Sequence, residues 1–136
     1  MPDIPWIKPT TPAPPPAPGA EVYVMASRFE TETLLGALGF LLRTPGIVRQ
    51  IRAAPGARGA CLRARIRSRT FLTLSAWEDR DALYRFARSE PHRTSSRAAA
   101  AHMRASQFTF WTAPATALPL TWDEAERRLA EQEARP

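Results

Sequence analysis

The most constraining feature of the chain is a strict alternation that runs straight into a capped helix. In TFLTLSAW, residues 70–77, Phe71, Thr73, Ser75 and Trp77 fall on one side and Leu72, Leu74 and Ala76 on the other. A side-chain period of two predicts a strand. Asp79 follows as an N-cap, since its carboxylate can accept from the free N–H groups that open a helix. Leu83, Phe86 and Ala87 then recur at helical spacing. Pro91, which loses nothing at a first helical position, precedes His92 and predicts a second helix from His92 to Arg104.

The flanking segments give the rest of the order. Glu21–Phe29 reads as a strand, with Val22, Val24 and Ala26 facing one way and Tyr23, Met25, Ser27 and Phe29 the other. An apolar helix follows from Thr33 to Arg43. Thr44-Pro45 has the form of a cap and a first-turn proline, so the helix is expected to restart there and to stop at Pro55-Gly56. Gly59–Arg67 is a second strand whose Leu62, Ala64 and Ile66 alternate with Arg63, Arg65 and Arg67. Three guanidinium groups on one face cannot be buried unpaired. They require a sheet edge or acids, with Glu124 and Glu126 as candidates. A turn at 67–69 leads antiparallel into the Thr70 strand. Ser106–Thr112 is the last strand, with Phe108 and Phe110 opposite Trp111, and Thr121 to Glu124 forms a capping box for a terminal helix.

The order β-α-β-β-α-β predicts an α+β, ferredoxin-like fold with a four-stranded antiparallel sheet. Helices cover one face, and the simple way to cover the other is a second copy of the same sheet. Three segments are expected: a Pro/Ala-rich extended arm over 1–20, the folded domain over 21–118, and a C-terminal helix over 119–136 that packs on the domain or its partner. Most of the fourteen prolines fall in the arm. It is either a tail or an anchor held on a neighbour through Trp6 and Ile7.

Composition excludes several function classes. One cysteine and two histidines are too few for a disulfide or a structural zinc site. No apolar run reaches the ~20 residues of a membrane span, and no signal-peptide pattern opens the chain, so a cytoplasmic location is expected. The net charge of +6 is uneven: residues 33–77 hold eight arginines and no acid. Such a segment can attract nucleic acid, an anionic ligand or an acidic surface, but no nucleic-acid motif accompanies it.

Trp77-Glu78-Asp79, Ser89-Glu90-Pro91-His92, Phe110-Trp111 and Leu118-Pro119 together resemble the antibiotic-biosynthesis monooxygenase-like group of the dimeric α+β barrel superfamily. The resemblance is closest to its spheroidene monooxygenase-like branch. It implies a homodimer whose sheets form a barrel, with a small-molecule pocket between sheet and helices in each subunit. It implies either no cofactor or haem. Haem-degrading relatives carry a histidine where this chain has Ser96 and an asparagine where it has Ser27, so haem degradation is not expected.

His92 is the candidate catalytic residue. It could act as an acid or base tuned near neutrality, ligate haem iron, or simply bond the backbone where a helix starts. Trp77 could stack on a flat substrate, and Ser27, Arg28 and Tyr84 are candidate polar positions in the pocket. His102 lies on a different helix face from His92, and nothing nearby marks Cys61 as a nucleophile. The expectation is a monooxygenase acting on an apolar secondary metabolite, a polyene or an aromatic. The alternatives are a non-oxidative isomerase or cyclase and a dimeric ligand-binding protein without turnover.

Overall fold

The structure, a computed structural model, describes residues 3–10, 17–89 and 103–133. Its elements in order are β1 (Asp3–Ile7), β2 (Glu21–Thr31), α1 (Leu34–Ala53), β3 (Ala57–Arg65), β4 (Thr70–Trp77), α2 (Arg80–Arg88), β5 (Met103–Pro114) and α3 (Trp122–Glu133). The strands form one antiparallel sheet in the order β1-β3-β4-β2-β5. Strands β2 to β5 have the ferredoxin-like arrangement.

The expectation of four strands is corrected to five. Residues expected in the extended arm pair with β3 at Asp3–Arg63, Ile4–Leu62 and Ile7–Ala60. Two features allow this strand. Pro5, which has no N–H to donate, is tolerated at a sheet edge. Gly59 sits at φ +147 directly beneath Trp6, so close that a Cβ there would lie 2.4 Å from the indole.

The alternation in β2 and β4 assigns their faces. Opposed pairs such as Val24–Ala76 and Ala26–Leu74 share one face, and Met25–Ser75 and Ser27–Thr73 the other. On the first face Val22, Val24, Ala26, Leu72 and Leu74 pack against Ala125 and Leu129 of α3, with Trp6, Trp111 and Trp122 around them. The chain's own terminal helix thus sits on the face assigned above to a partner's sheet. On the second face Trp77 packs with Leu83 and Phe86 of α2, and Phe71 with Ala37 and Phe40 of α1.

The helices differ from expectation at three points. Helix α1 does not restart at Thr44-Pro45 but runs through Pro45. Pro45 has no N–H for the Leu41 carbonyl, and Thr44 Oγ1 donates back to the Phe40 carbonyl at 3.0 Å instead of capping a new helix. Thr33 is the cap, accepting from Gly36 N at 3.0 Å. Both carboxylate oxygens of Glu124 turn to Arg127 and Arg128 rather than back to Thr121. The helix expected from His92 to Arg104 falls largely outside the described residues, and its last two positions, Met103 and Arg104, belong to β5.

Asp79 caps α2 as the sequence suggests, accepting from Ala82 N at 2.8 Å. The turn between β3 and β4 is a short 3-10 segment, Ile66–Ser68, closed by Arg69 at φ +54. The arginine face of β3 meets an acid: Glu126 Oε1 lies 2.8 Å from Arg65 Nη2 and 3.6 Å from Arg63 Nη1. The Arg63 guanidinium also stacks on Trp122 at 5.1 Å. Arg67 is exposed in the turn, beyond the end of the strand. Glu124 plays no part in this pairing.

Candidate functional site

Between the second sheet face and helices α1 and α2 lies a cavity of about 480 Å³. Its floor is sheet: Met25, Ser27 and Phe29 of β2, Thr73, Ser75 and Trp77 of β4, and Phe108 and Phe110 of β5. Its roof is Phe40, Ile47 and Ile51 of α1 with Leu83, Tyr84 and Phe86 of α2. Ile4 and Ile7 of β1 complete the wall at the sheet edge. The period-two strands put one face into this space, and the register of β2 with its two neighbours aligns that face across the sheet. In the register, Ser27 stands opposite both Thr73 and Phe108, and Met25 opposite both Ser75 and Phe110.

The lining is almost wholly apolar, and its hydroxyl groups are largely committed. Ser27 is fully buried, and its Oγ is hydrogen-bonded to Thr73 Oγ1. Trp77, 1 % exposed, donates from Nε1 to Ser75 Oγ at 2.9 Å. That bond and the Phe86 ring, 5.0 Å away between centroids, fix the indole at the cavity's end. Tyr84 lies under the Arg80 guanidinium at 4.8 Å. The Tyr23 phenol, stacked on Phe110, is held above its ordinary pKa of 10.0 by burial first and by Tyr84 second, with Arg80 opposing.

The two hydroxyls of the Ser27–Thr73 pair have two protons between them, and their mutual bond uses one. One O–H is left over, and since Ser27 is fully buried while Thr73 is half-buried, Thr73 is the member of the pair that can meet whatever occupies the cavity. The site is therefore a greasy box whose sheet floor carries a few hydroxyls: the Ser27–Thr73 pair, Ser75, whose oxygen accepts from Trp77, and Ser106 of β5. Such a box can orient a flat apolar ligand through one oxygen atom.

Three of the candidate residues come together here. Ser27, Trp77 and Tyr84 all line the cavity. Arg28 does not join them, because the next residue of a strand must point the other way. It lies on the α3 face, paired with Glu30 at 3.1 Å. There it borders a smaller polar cleft with Arg65, Gln107 and Glu126. His92, His102 and Ser96 lie outside the described residues. Thr73 was missed in the sequence: it shares its strand face with Phe71, Ser75 and Trp77, and only the register with Ser27 singles it out.

Haem would need an axial ligand, and the described lining gives it no imidazole. Cys61 borders the cavity, but its side chain packs with Val24, Ala26 and Leu129 on the opposite face. Among the described residues no cluster of three or more His, Cys, Asp or Glu side chains could hold a metal ion. No described helix is long and apolar enough to cross a membrane.

A variant of SnoaB, a cofactor-independent oxygenase from Streptomyces nogalater, is 20% identical. It covers 70% of this chain and 94% of its own, with a TM-score of 0.57. A protein from Nitrosomonas europaea assigned as an antibiotic biosynthesis monooxygenase is 16% identical, covering 74% and 93%, with a TM-score of 0.62. Rv0793 from Mycobacterium tuberculosis is 19% identical, covering 69% and 94%, with a TM-score of 0.59. At such identities the likeness carries the fold and not the chemistry. No curated protein matches the chain. A family model described as a domain of unknown function, DUF3291, matches residues 37–135. That span is most of the chain, and the protein belongs to the DUF3291 family, built on the fold of the antibiotic biosynthesis monooxygenase-like proteins.

Proposed function

We propose that this protein is a small-molecule monooxygenase that takes a flat apolar metabolite, a polyene or a fused aromatic, into the sheet–helix cavity. The observation that carries the reading is the cavity itself: apolar, aromatic-floored, and provided with one hydroxyl pair at Ser27 and Thr73. The fold's named oxygenases, one of them cofactor-independent, support it.

The chemistry asks little of the protein when the substrate can become a carbanion. A methylene between two aromatic rings loses a proton and gives electrons to O₂. The CH₂ becomes C=O, one oxygen atom stays, and the other leaves as water, so no external reductant is needed. In this scheme the unspent hydroxyl of the Ser27–Thr73 pair holds the substrate oxygen, which gains charge as the proton leaves. Trp77 offers its fixed indole as a stacking surface. The apolar walls exclude water and strengthen that hydrogen bond. His92 is assigned the proton, and Tyr84 contacts the substrate at the roof. A homodimer is part of the proposal. Its contact is the outer edge of β5, which among the described strands pairs only with β2 and so leaves backbone groups free to pair.

A ligand-binding protein without turnover is the rival, and one observation favours it. The described lining contains no carboxylate and no imidazole. An oxygen electrode with 1,8-dihydroxyanthrone as probe separates the two. Oxygen uptake matched by anthraquinone formation, without reductant, supports the oxygenase. Binding of the probe by fluorescence quenching with no uptake supports the rival, and no binding at all removes the cavity reading. His92→Ala should abolish uptake while keeping binding, with stability within about 1 kcal/mol of the parent. Sedimentation equilibrium of the parent should give twice the 15.1 kDa of one chain; a monomer at micromolar concentration would remove the dimer alone.

A further inference from the structure

Helix α1 turns one face to the cavity and another outward, and the outward face is unusual for a water-exposed surface. Leu34, Leu35, Leu38 and Leu42 are 54, 79, 46 and 83 % exposed. At about 3.6 residues per turn these four fall within a third of the helix circumference. Arg49 and Arg52 continue the same face toward the C-terminus and are also exposed. The helix contains no acidic residue. Beyond its C-terminal half the charge extends onto α2, where Gln50 donates to Ser89 and Arg85 and Arg88 are exposed.

We infer that this face docks on an anionic lipid surface, the leucines entering the boundary of the acyl region and the arginines meeting headgroup phosphates. An interfacial helix needs both an apolar stripe and cations beside it, and here one face supplies both in succession. A second copy of the chain fits this face poorly. Antiparallel packing of two α1 helices sets leucines against arginines, and parallel packing sets arginines against arginines. An acidic protein would satisfy the arginines, but a lipid surface also supplies the apolar phase that four leucines in a row require. The opposite side of the same helix roofs the cavity, so docking would place a water-insoluble ligand's source next to its binding site. The docking inference stands whether or not the protein is an oxygenase.

The experiment is co-sedimentation of the full chain with large vesicles of phosphatidylcholine, with and without about 30 mol % phosphatidylglycerol. Binding is expected to the anionic vesicles only. It should be lost in about 1 M salt, where screening acts within about 3 Å. Leu35→Ser with Leu42→Ser should weaken partitioning at least about tenfold, and Arg49→Glu with Arg52→Glu should abolish it. The leucines are exposed, so their variant should keep the parent's melting temperature. Arg52 also donates from Nε to the Lys8 carbonyl at 3.3 Å, so the arginine variant is read against its own melting temperature and against Arg49→Glu alone. Parent protein left in the supernatant with anionic vesicles, or leucine variants that bind as the parent does, would overturn the inference. So would leucine variants whose only change is from dimer to monomer, which would assign the face to a second copy.

Discussion

Ser27 Oγ and Thr73 Oγ1 are bonded to each other across the β2–β4 pairing, in the floor of the cavity. Removing one hydroxyl strands the other in an apolar space, whereas removing both leaves no polar group to satisfy. Thr73→Val alone is expected to cost about 1–2 kcal/mol, and Ser27→Ala with Thr73→Val less than the sum of the two singles. The double variant should also bind a hydroxyl-bearing aromatic about tenfold more weakly while binding its deoxy counterpart unchanged. Urea melts and fluorescence titrations read these two effects separately. Strict additivity in the melts, or equal losses for both ligands, would show that the pair is not the cavity's polar anchor.

Helix α3 is attached in two ways, and their magnitudes differ. Glu126 reaches Arg65 and Arg63, but these side chains keep roughly a third or more of their surface in water, and exposed pairs contribute little. Leu129 is buried with Ala125 among Val24, Ala26 and Leu74. Leu129→Ala is therefore expected to cost about 2–4 kcal/mol, against less than about 1 kcal/mol for Glu126→Ala. Chemical denaturation of the two variants checks the order. A Glu126→Ala loss equal to that of Leu129→Ala would mean that the charged contact holds the helix.

Much of this arrangement could be read from residues alone, and the failures have physical causes. The alternations in β2 and β4 are strict, so the two faces of each strand follow without a structure; that Ser27 and Trp77 share one face of the sheet comes from the pairing of the strands. The Asp79 cap is legible because a carboxylate before an apolar helical pattern has one common use. Thr44-Pro45 misled because the cap and the i−4 back-bond use the same hydroxyl, and only packing along α1 decides between them. The β1 strand was hidden behind prolines that normally argue against pairing. What permits it is Gly59, far away in sequence, whose missing side chain makes room for Trp6. The pairing of Ser27 with Thr73 depends on strand register, which neither segment encodes by itself.

The contact between Gly59 and Trp6 makes a further prediction. Any side chain at Gly59 meets the indole, and its φ of +147 is one that residues with a Cβ rarely adopt. Gly59→Ala should release β1, with Ile4 and Ile7 leaving the cavity wall, at a cost of about 1–3 kcal/mol. Limited proteolysis followed by mass measurement should find cleavage within the first ten residues in the variant sooner than in the parent. Equal protection of the two would show that Trp6 is not what holds the strand.

Tyr23 links stability to alkaline pH with a defined sign. Its phenol is raised above 10.0 chiefly by burial, and then by Tyr84. A weak acid with a raised folded pKa binds its proton more tightly in the folded state than in the unfolded chain. The stability linked to this group is therefore complete below pH 10, where both states are protonated. It declines as the pH rises through the folded value, and no further loss comes from Tyr23 once both states are ionised. The chain has only two tyrosines, so Tyr84→Phe leaves Tyr23 as the sole phenol. Absorbance titration of that variant should show one ionisation with its midpoint above 10, because burial, the larger cause, remains when Tyr84 is gone. Unfolding by urea should move the midpoint down to 10. A folded midpoint at or below 10 would mean that Tyr23 is open to water, and that the stacked ring of Phe110 does not shield it.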